Sequence, residues 1–256
     1  MRRGVYRLVG SPGSEYVDIA VAALAAGPGV AASHFAAGWL WNAKDVASTL
    51  PDLIAFDGRH VRLRGLRVRR SQLNAATWMT RRHDVPTVVA PLMIAQIASE
   101  TSAELGIAIA RDLRTRGLVS YGAVIKCLDA TGINVDPALR RYCERALRVD
   151  GHDDSPAATD LGVALLDAGV PPFVTQFQVV VEGRVRLLDF AWPDHKVGLE
   201  YLGRADHGLD QMDRDAWRRT QLTAAGWRIL DITSAMPSAE VVRWVFQVLN
   251  LAPRVQ

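Results

Sequence analysis

Three strand-like segments joined by two short turns restrict the possible folds of this chain more than any other feature. They are Phe173–Val181, Arg184–Ala191 and Lys196–Leu202, and the first is especially rich in the β-branched residues that favour strands. Glu182-Gly183 has the composition of a two-residue hairpin loop, and Trp192–His195 carries turn residues. We therefore expect a three-stranded antiparallel meander.

The two turns also predict which residues face each other, because the register of a hairpin follows from its loop. With a turn centred between Asp194 and His195, paired residue numbers sum to 389. Asp189 is then opposite Glu200. The earlier loop gives a sum of 365, which places Gln176 opposite Asp189. Directly opposed side chains share a face, so these three residues are predicted to form one row on the meander.

The row suggests a metal site, because two opposed carboxylate residues with Cβ atoms about 4.5–5.5 Å apart repel each other unless a cation compensates them. Asp189 and Glu200 lie in apolar segments, where unpaired charges are rare. Carboxylates are preferred ligands of Mg²⁺ or Mn²⁺, and such an ion activates water for phosphodiester hydrolysis. The alternative is that Asp189 caps a strand and Glu200 pairs with an arginine. Gln176 could orient water or be an ordinary amide on the sheet.

Two residues that follow the meander could complete such a site. His207 has a side chain suited to a general base, although it is equally consistent with a solvated loop residue. Arg218, on the next predicted helix, could reach a phosphate. The alternative for Arg218 is an ion pair on the helix surface.

Charge is distributed unevenly along the chain, although the net charge is only +3. Residues 1–148 hold 20 Lys and Arg against 12 Asp and Glu, whereas residues 149–256 hold 10 against 15. A basic half suggests a surface that faces nucleic acid; a chance fluctuation of surface charge is the alternative. A strand-like stretch carries arginines at alternate positions, namely Arg62, Arg64, Arg67 and Arg69. They are predicted to contact DNA phosphates; the alternative is that they line a solvated strand face.

The chain is long enough, at 256 residues, for one large domain or two ordinary ones. The polar, acidic break at residues 149–154 predicts domains at 1–150 and 151–256. The first is predicted to be mostly helical, and the second to follow the order α-β-β-β-α-β-α, so the fold class is α/β (or α+β). No secretory signal or membrane span is evident, and neither Cys127 nor Cys143 has CxxC spacing, which predicts a cytoplasmic protein.

The C-terminal part resembles a known nuclease domain. Leu188–Gly203, Asp206-His207, Asp215-Ala-Trp-Arg218 with Leu222, and Gly226–Leu230 together resemble the very short patch repair endonuclease-like domain of the PD-(D/E)xK superfamily. The resemblance implies a restriction-endonuclease-like αβββαβ domain in which Asp189 and Glu200 bind Mg²⁺ (or Mn²⁺). Two positions depart from the family pattern: Leu202 replaces its third motif residue and Ala158 replaces a Glu.

The N-terminal part is similar to AbiEi-type antitoxin-like proteins of type IV toxin–antitoxin systems. The similarity is carried by Arg3–Leu8, Gly27–Trp41, Val68–Leu73 and Val85-Pro-Thr87. It implies DNA and a cognate toxin as partners, and a winged helix whose recognition helix is expected upstream of Met1. Two functions follow as alternatives: a metal-dependent DNA endonuclease, favoured by Asp189 and Glu200, or a DNA-binding antitoxin or regulator with an inactive nuclease-like domain, favoured by Leu202 and Ala158.

Overall fold

The computed structural model describes residues 16–47, 51–149, 156–202 and 209–251. The protein has a mixed α/β fold, as the sequence predicts. It divides into two compact units, Met1–Glu144 and Arg145–Gln256. The sequence places the division slightly later, at residue 150. In the described part of the chain, no helix combines the length and the apolar composition required to cross a bilayer.

The N-terminal unit contains both helices and a sheet. Its elements in chain order, the last of which extends past Glu144, are α1 (Val17–Ala26), β1 (Val30–Ala32), α2 (His34–Leu40), β2 (Asp52–Ala55), β3 (Arg67–Arg70), α3 (Ala75–Trp78), β4 (Met79–Arg82), β5 (Val85–Val88), α4 (Ala90–Glu100), α5 (Ala103–Thr115), α6 (Tyr121–Thr131) and α7 (Pro137–Val149). The strands form one mixed sheet in the order β3-β2-β1-β5-β4.

The N-terminal unit is mostly helical, as the sequence predicts, but its strands form a sheet that the sequence analysis did not predict. Its strands are only three or four residues long, too short to show a clear two-residue alternation of apolar side chains. In the strand-like stretch that carries the alternating arginines, only Arg67–Arg70 forms a strand, β3, which runs parallel to β2. A turn in which Gly58 has a φ of 69° follows β2 and redirects the chain.

The C-terminal unit follows the predicted order of elements. These are α8 (Pro156–Asp167), β6 (Val174–Val181), β7 (Arg184–Trp192), a short 3₁₀ turn (Pro193–His195), β8 (Val197–Leu202), α9 (Leu209–Ala224), β9 (Arg228–Thr233) and α10 (Ser238–Val248). The sheet order is β6-β7-β8-β9; the first three strands are antiparallel neighbours, and β9 runs parallel to β8.

Helices cover both faces of this sheet. Leu165 of α8 and Val245 of α10 belong to one core cluster, together with Phe190 of β7. Leu222 of α9 belongs to a second cluster, together with Leu188 of β7. Burial of these apolar side chains on both faces positions the strands and, with them, the polar residues at the middle of the sheet.

Both predicted registers are confirmed. The β6–β7 pairs Thr175↔Phe190 and Phe177↔Leu188 have residue numbers that sum to 365. The β7–β8 pair Phe190↔Leu199 sums to 389. The hairpin loops therefore determined the alignment of three strands.

Candidate functional site

Gln176, Asp189 and Glu200 lie at adjacent register positions on three consecutive strands. Gln176 donates a hydrogen bond from Nε2 to Oδ1 of Asp189 at 3.1 Å. The other carboxylate oxygen of Asp189, Oδ2, accepts the backbone N–H of Tyr201 at 2.7 Å. Asp189 thus links its two neighbouring strands through its side chain, and both of its oxygens accept hydrogen bonds from protein groups.

The regular alternation of the sheet is interrupted at this point. Residues two apart in a regular strand share a face, yet Phe190 lies in the core cluster under α8 and α10 whereas Leu188 lies in the cluster under α9. Gln176, opposite the interruption, has a left-handed backbone with a φ of 51°, which is unfavourable for a residue other than glycine. The strands β7 and β8 cease to pair at Phe190↔Leu199, and this leaves the N–H of Tyr201 available to Asp189.

Glu200 is directed toward α9. Its Oε1 lies 2.8 Å from Nη2 of Arg218, and its side chain is only 12% exposed. The same guanidinium nitrogen donates to the backbone carbonyl of Leu187 at 2.5 Å. Glu200 is therefore paired with an arginine, as in the alternative interpretation of the sequence. Arg218, predicted to contact phosphate, is held by protein groups.

Asp231 of β9 is a member of this site that the sequence analysis missed. It is the register partner of Glu200, so two carboxylates lie side by side on neighbouring strands. Arg219, the residue after Arg218 on α9, forms an ion pair with Asp231. One signal existed in the sequence, because Asp231 is a charged residue flanked by the apolar residues Leu230 and Ile232. Two consecutive arginines thus balance two neighbouring carboxylates.

The divalent ion implied by the nuclease resemblance does not fit this arrangement. Carboxylate oxygens are suitable ligands, but those of Asp189 accept two N–H groups and Oε1 of Glu200 contacts a guanidinium. Leu202 provides no ligand atom. Within the described ranges, no group of three or more His, Cys, Asp or Glu side chains is arranged to hold an ion. An ion would first have to displace donors of the protein itself.

The predicted DNA-contacting arginines of the N-terminal unit fall into two groups. Arg62 and Arg64 are exposed in the segment that precedes β3, and Arg67 on β3 is 65% exposed. Arg69 is instead 22% exposed, and its Nη1 lies 2.6 Å from Oε1 of Glu100. Its Nη2 contacts Asp52 at 3.4 Å. Arg69 therefore belongs to an ion-pair network with Asp52 and Glu100. Arg67 reaches the same two carboxylates, at 4.0 and 3.9 Å, from its exposed position, whereas Arg62 and Arg64 lie outside the network and are exposed.

His34 adjoins that network and was not singled out by the sequence analysis. It is 5% exposed, and its Nε2 lies 3.7 Å from Oε1 of Glu100. Its Nδ1 is 3.0 Å from the Ser33 hydroxyl, and its backbone N–H donates to Oε1 of Gln96. Burial and the positive charge of Arg69 lower the pKa of His34 to about 4, against the opposing effect of Glu100. His34 is thus a neutral imidazole near neutral pH.

Two cavities adjoin the network, each within the range of small-ligand pockets. One, of about 450 Å³, is lined by residues that include Asp52, Arg67 and Glu100. The other, of about 440 Å³, is lined by residues that include His34 and Arg69. The last predicted site residue, His207, lies outside the described residues.

Comparison with known proteins gives few relatives. A stretch of 136 residues is 28% identical to "Uncharacterized protein Rv2248" of Mycobacterium tuberculosis (strain ATCC 25618 / H37Rv) and to "Uncharacterized protein MT2308" of strain CDC 1551 / Oshkosh. The match covers 48% of this chain and 50% of each relative, so the chain spans about half the length of the curated relatives it matches. No family model matches the chain, and no solved structure matches it significantly.

Proposed function

We propose that this protein binds DNA through exposed arginines of its N-terminal unit. The observation that carries the proposal is the arrangement of the segment before β3. Arg62 and Arg64 are exposed, whereas Val61 and Leu63 between them are partly buried against the core of the unit. Apolar side chains thus anchor a segment whose charged side chains face solvent. A guanidinium suits a phosphate oxygen pair because it donates two parallel hydrogen bonds.

The proposal also specifies a role and partners. The excess of basic residues in positions 1–148 supplies the long-range attraction that nucleic-acid binding requires. The resemblance to AbiEi-type proteins favours an antitoxin or transcriptional regulator that acts in the cytoplasm with a cognate toxin. In this role the C-terminal unit is a nuclease-like platform without hydrolytic activity, because Glu200 and Arg218 satisfy each other.

The DNA-binding proposal predicts a change in salt dependence. Replacing Arg62 and Arg64 by Gln should weaken binding to a mixed-sequence duplex and lower the slope of log affinity against log salt by about 1.8, or about 0.9 for each lost phosphate contact. Fluorescence anisotropy over a series of KCl concentrations measures both quantities.

A matched control removes equal charge elsewhere in the same unit. Lys126 of α6 and Arg141 of α7 are exposed, and replacing both by Gln should leave the slope within error of the unmodified protein. A slope equally lowered by both double variants would show a general charge effect. An unchanged slope in the Arg62→Gln/Arg64→Gln variant would refute the proposed contacts.

Metal-dependent DNA hydrolysis is a second candidate, favoured by one specific observation. Asp189 and Glu200 lie on neighbouring strands, each one residue beyond the pair Phe190↔Leu199, in a sheet with the predicted αβββαβ order of elements. In this candidate Asp189 and Glu200 would hold Mg²⁺ or Mn²⁺ after Arg218 has moved, and Gln176 and His207 would assist the attacking water.

The second candidate predicts nicking of supercoiled plasmid that requires Mg²⁺ or Mn²⁺. Nicking should disappear in Asp189→Ala and in Glu200→Ala, since each removes a predicted metal ligand. Gel electrophoresis of the plasmid follows the reaction. Nicking that survives both substitutions would come from another site or a contaminant, and absence of nicking in the unmodified protein would support the non-hydrolytic role.

A further inference from the structure

We infer that Arg218 is the built-in cation of the carboxylate site and occupies the place that a divalent ion would take. Its Nη2 lies between a carboxylate and a backbone carbonyl, at 2.8 Å from Oε1 of Glu200 and 2.5 Å from the oxygen of Leu187. Carboxylate and carbonyl oxygens are the ligands that hard cations prefer. Leu187 lies on β7, two residues before Asp189, and Glu200 lies on β8, so the guanidinium contacts both strands of the site.

Charge balance explains why a cation is needed there. Glu200 is 12% exposed and neighbours Asp231 on the adjacent strand. Two carboxylates so close to each other and so little solvated are costly unless cations compensate them. Arg219 pairs with Asp231, and Arg218 places a positive charge beside Glu200.

The contact between Arg218 and Glu200 is of a kind that an ion can replace. Oε1 of Glu200 lies within ion-pair distance of Nη2 of Arg218. The attraction is between opposite charges, so a cation placed between the same oxygens would also supply it.

The docking of α9 does not depend on this contact. Leu222, one turn later, is 1% exposed in the core under the helix. Gln221 donates to Glu182 at 2.6 Å and accepts from Arg186 at 2.6 Å, which ties α9 to the β6–β7 hairpin. Methionine is unbranched and apolar, like the aliphatic part of the arginine side chain. Arg218→Met should therefore leave α9 in place and remove only the cation.

Titration of the protein with Mn²⁺, by calorimetry and by electron paramagnetic resonance, tests this inference. The unmodified protein should bind Mn²⁺ weakly, because the guanidinium competes for the same oxygens. Arg218→Met should bind at least about tenfold more tightly, equivalent to about 1.4 kcal/mol. Adding Glu200→Gln or Asp189→Asn to Arg218→Met should abolish the gain.

Arg219→Met is the matched control, since it removes the neighbouring guanidinium of α9 but leaves the counter-charge of Glu200. It should bind Mn²⁺ no more tightly than the unmodified protein. Equal Mn²⁺ affinity of the unmodified protein and a folded Arg218→Met variant would overturn the inference.

The folding of the variant is itself informative. Circular dichroism with and without Mn²⁺ shows whether the ion stabilises Arg218→Met, as binding to the folded state alone requires. A variant that folds only with Mn²⁺ supports the inference, and one that is unfolded in both conditions overturns it. DNA affinity depends on Arg62 and Arg64 and is measured separately, so the inference and the proposed DNA-binding function can fail independently.

Discussion

At the scale of single residues, His34 shows how burial changes the chemistry of a common side chain. The imidazole lies beside charged groups from three elements, and those that affect it are Arg69, Glu100, Asp52 and Arg67. Desolvation has the largest effect and disfavours the charged imidazolium, so the pKa falls from 6.5 to about 4. A buried neutral histidine therefore couples the stability of the N-terminal unit to pH.

The sign of that coupling follows from proton binding. Between pH 6.5 and about 4, the unfolded chain binds a proton at His34 and the folded protein does not, so lowering the pH favours unfolding. We expect the free energy of unfolding to fall over this window, with a contribution from His34 of at most about 3 kcal/mol. Urea denaturation at pH 7, 5.5 and 4 measures it.

His34→Asn provides the control for that measurement. Asparagine tolerates the left-handed φ of 51° at this position and does not titrate. The variant should be less stable at pH 7 because it leaves a cavity, but its stability should decrease less as the pH falls. Parallel losses of stability in both proteins would show that the pH dependence does not come from His34.

At the scale of elements, the sequence predicted the register of the antiparallel strands but not the register of the parallel pair. The antiparallel registers of β6, β7 and β8 follow from short loops, and counting across those loops aligned Gln176 with Asp189 and Asp189 with Glu200. The pairing of β9 with β8 is parallel and crosses over through α9. No loop count determines such a register, and Asp231 was missed for that reason.

The close packing of β7, β8 and β9 makes a glycine of the sheet sensitive to substitution. A Cβ on Gly198 would lie 2.7 Å from Cδ1 of Leu188 and 3.0 Å from Cδ1 of Ile229. Leu188 is fully buried, so it has little room to move. Gly198→Ala should therefore destabilise the protein by about 1–3 kcal/mol, measured as a lower midpoint of urea unfolding.

Gly122 of α6 is the matched control for this substitution, because in the described part of the chain no atom beyond its own helix backbone and adjacent residues lies within 4 Å of an added Cβ. Gly122→Ala should be neutral or stabilising by up to about 1 kcal/mol, since alanine favours helices. If Gly198→Ala were as stable as Gly122→Ala, the three strands would be less tightly packed than their contacts indicate.

At the scale of the whole molecule, basic and acidic residues separate along the chain. The excess of Lys and Arg in positions 1–148 and of Asp and Glu in positions 149–256 is a property of the sequence. The fold decides how those charges are used. Arg69 and Arg218 were predicted to contact DNA, but both enter partly buried ion pairs, whereas Arg62 and Arg64 are exposed. The spacing of the arginines indicated that one side of their segment is exposed. It contained no information on which carboxylates would come close to each arginine in the folded protein.

The sequence by itself determined the α/β class, the order of elements in the C-terminal unit and the register of its three antiparallel strands. Local rules govern all of these, namely apolar periodicity, helix-ending glycines and the length of hairpin loops. Only the tertiary structure decided that Arg218 neutralises Glu200, that Asp231 lies beside it and that the N-terminal unit contains a five-stranded sheet. Those features join residues far apart in the chain, and their positions depend on how whole helices and strands pack.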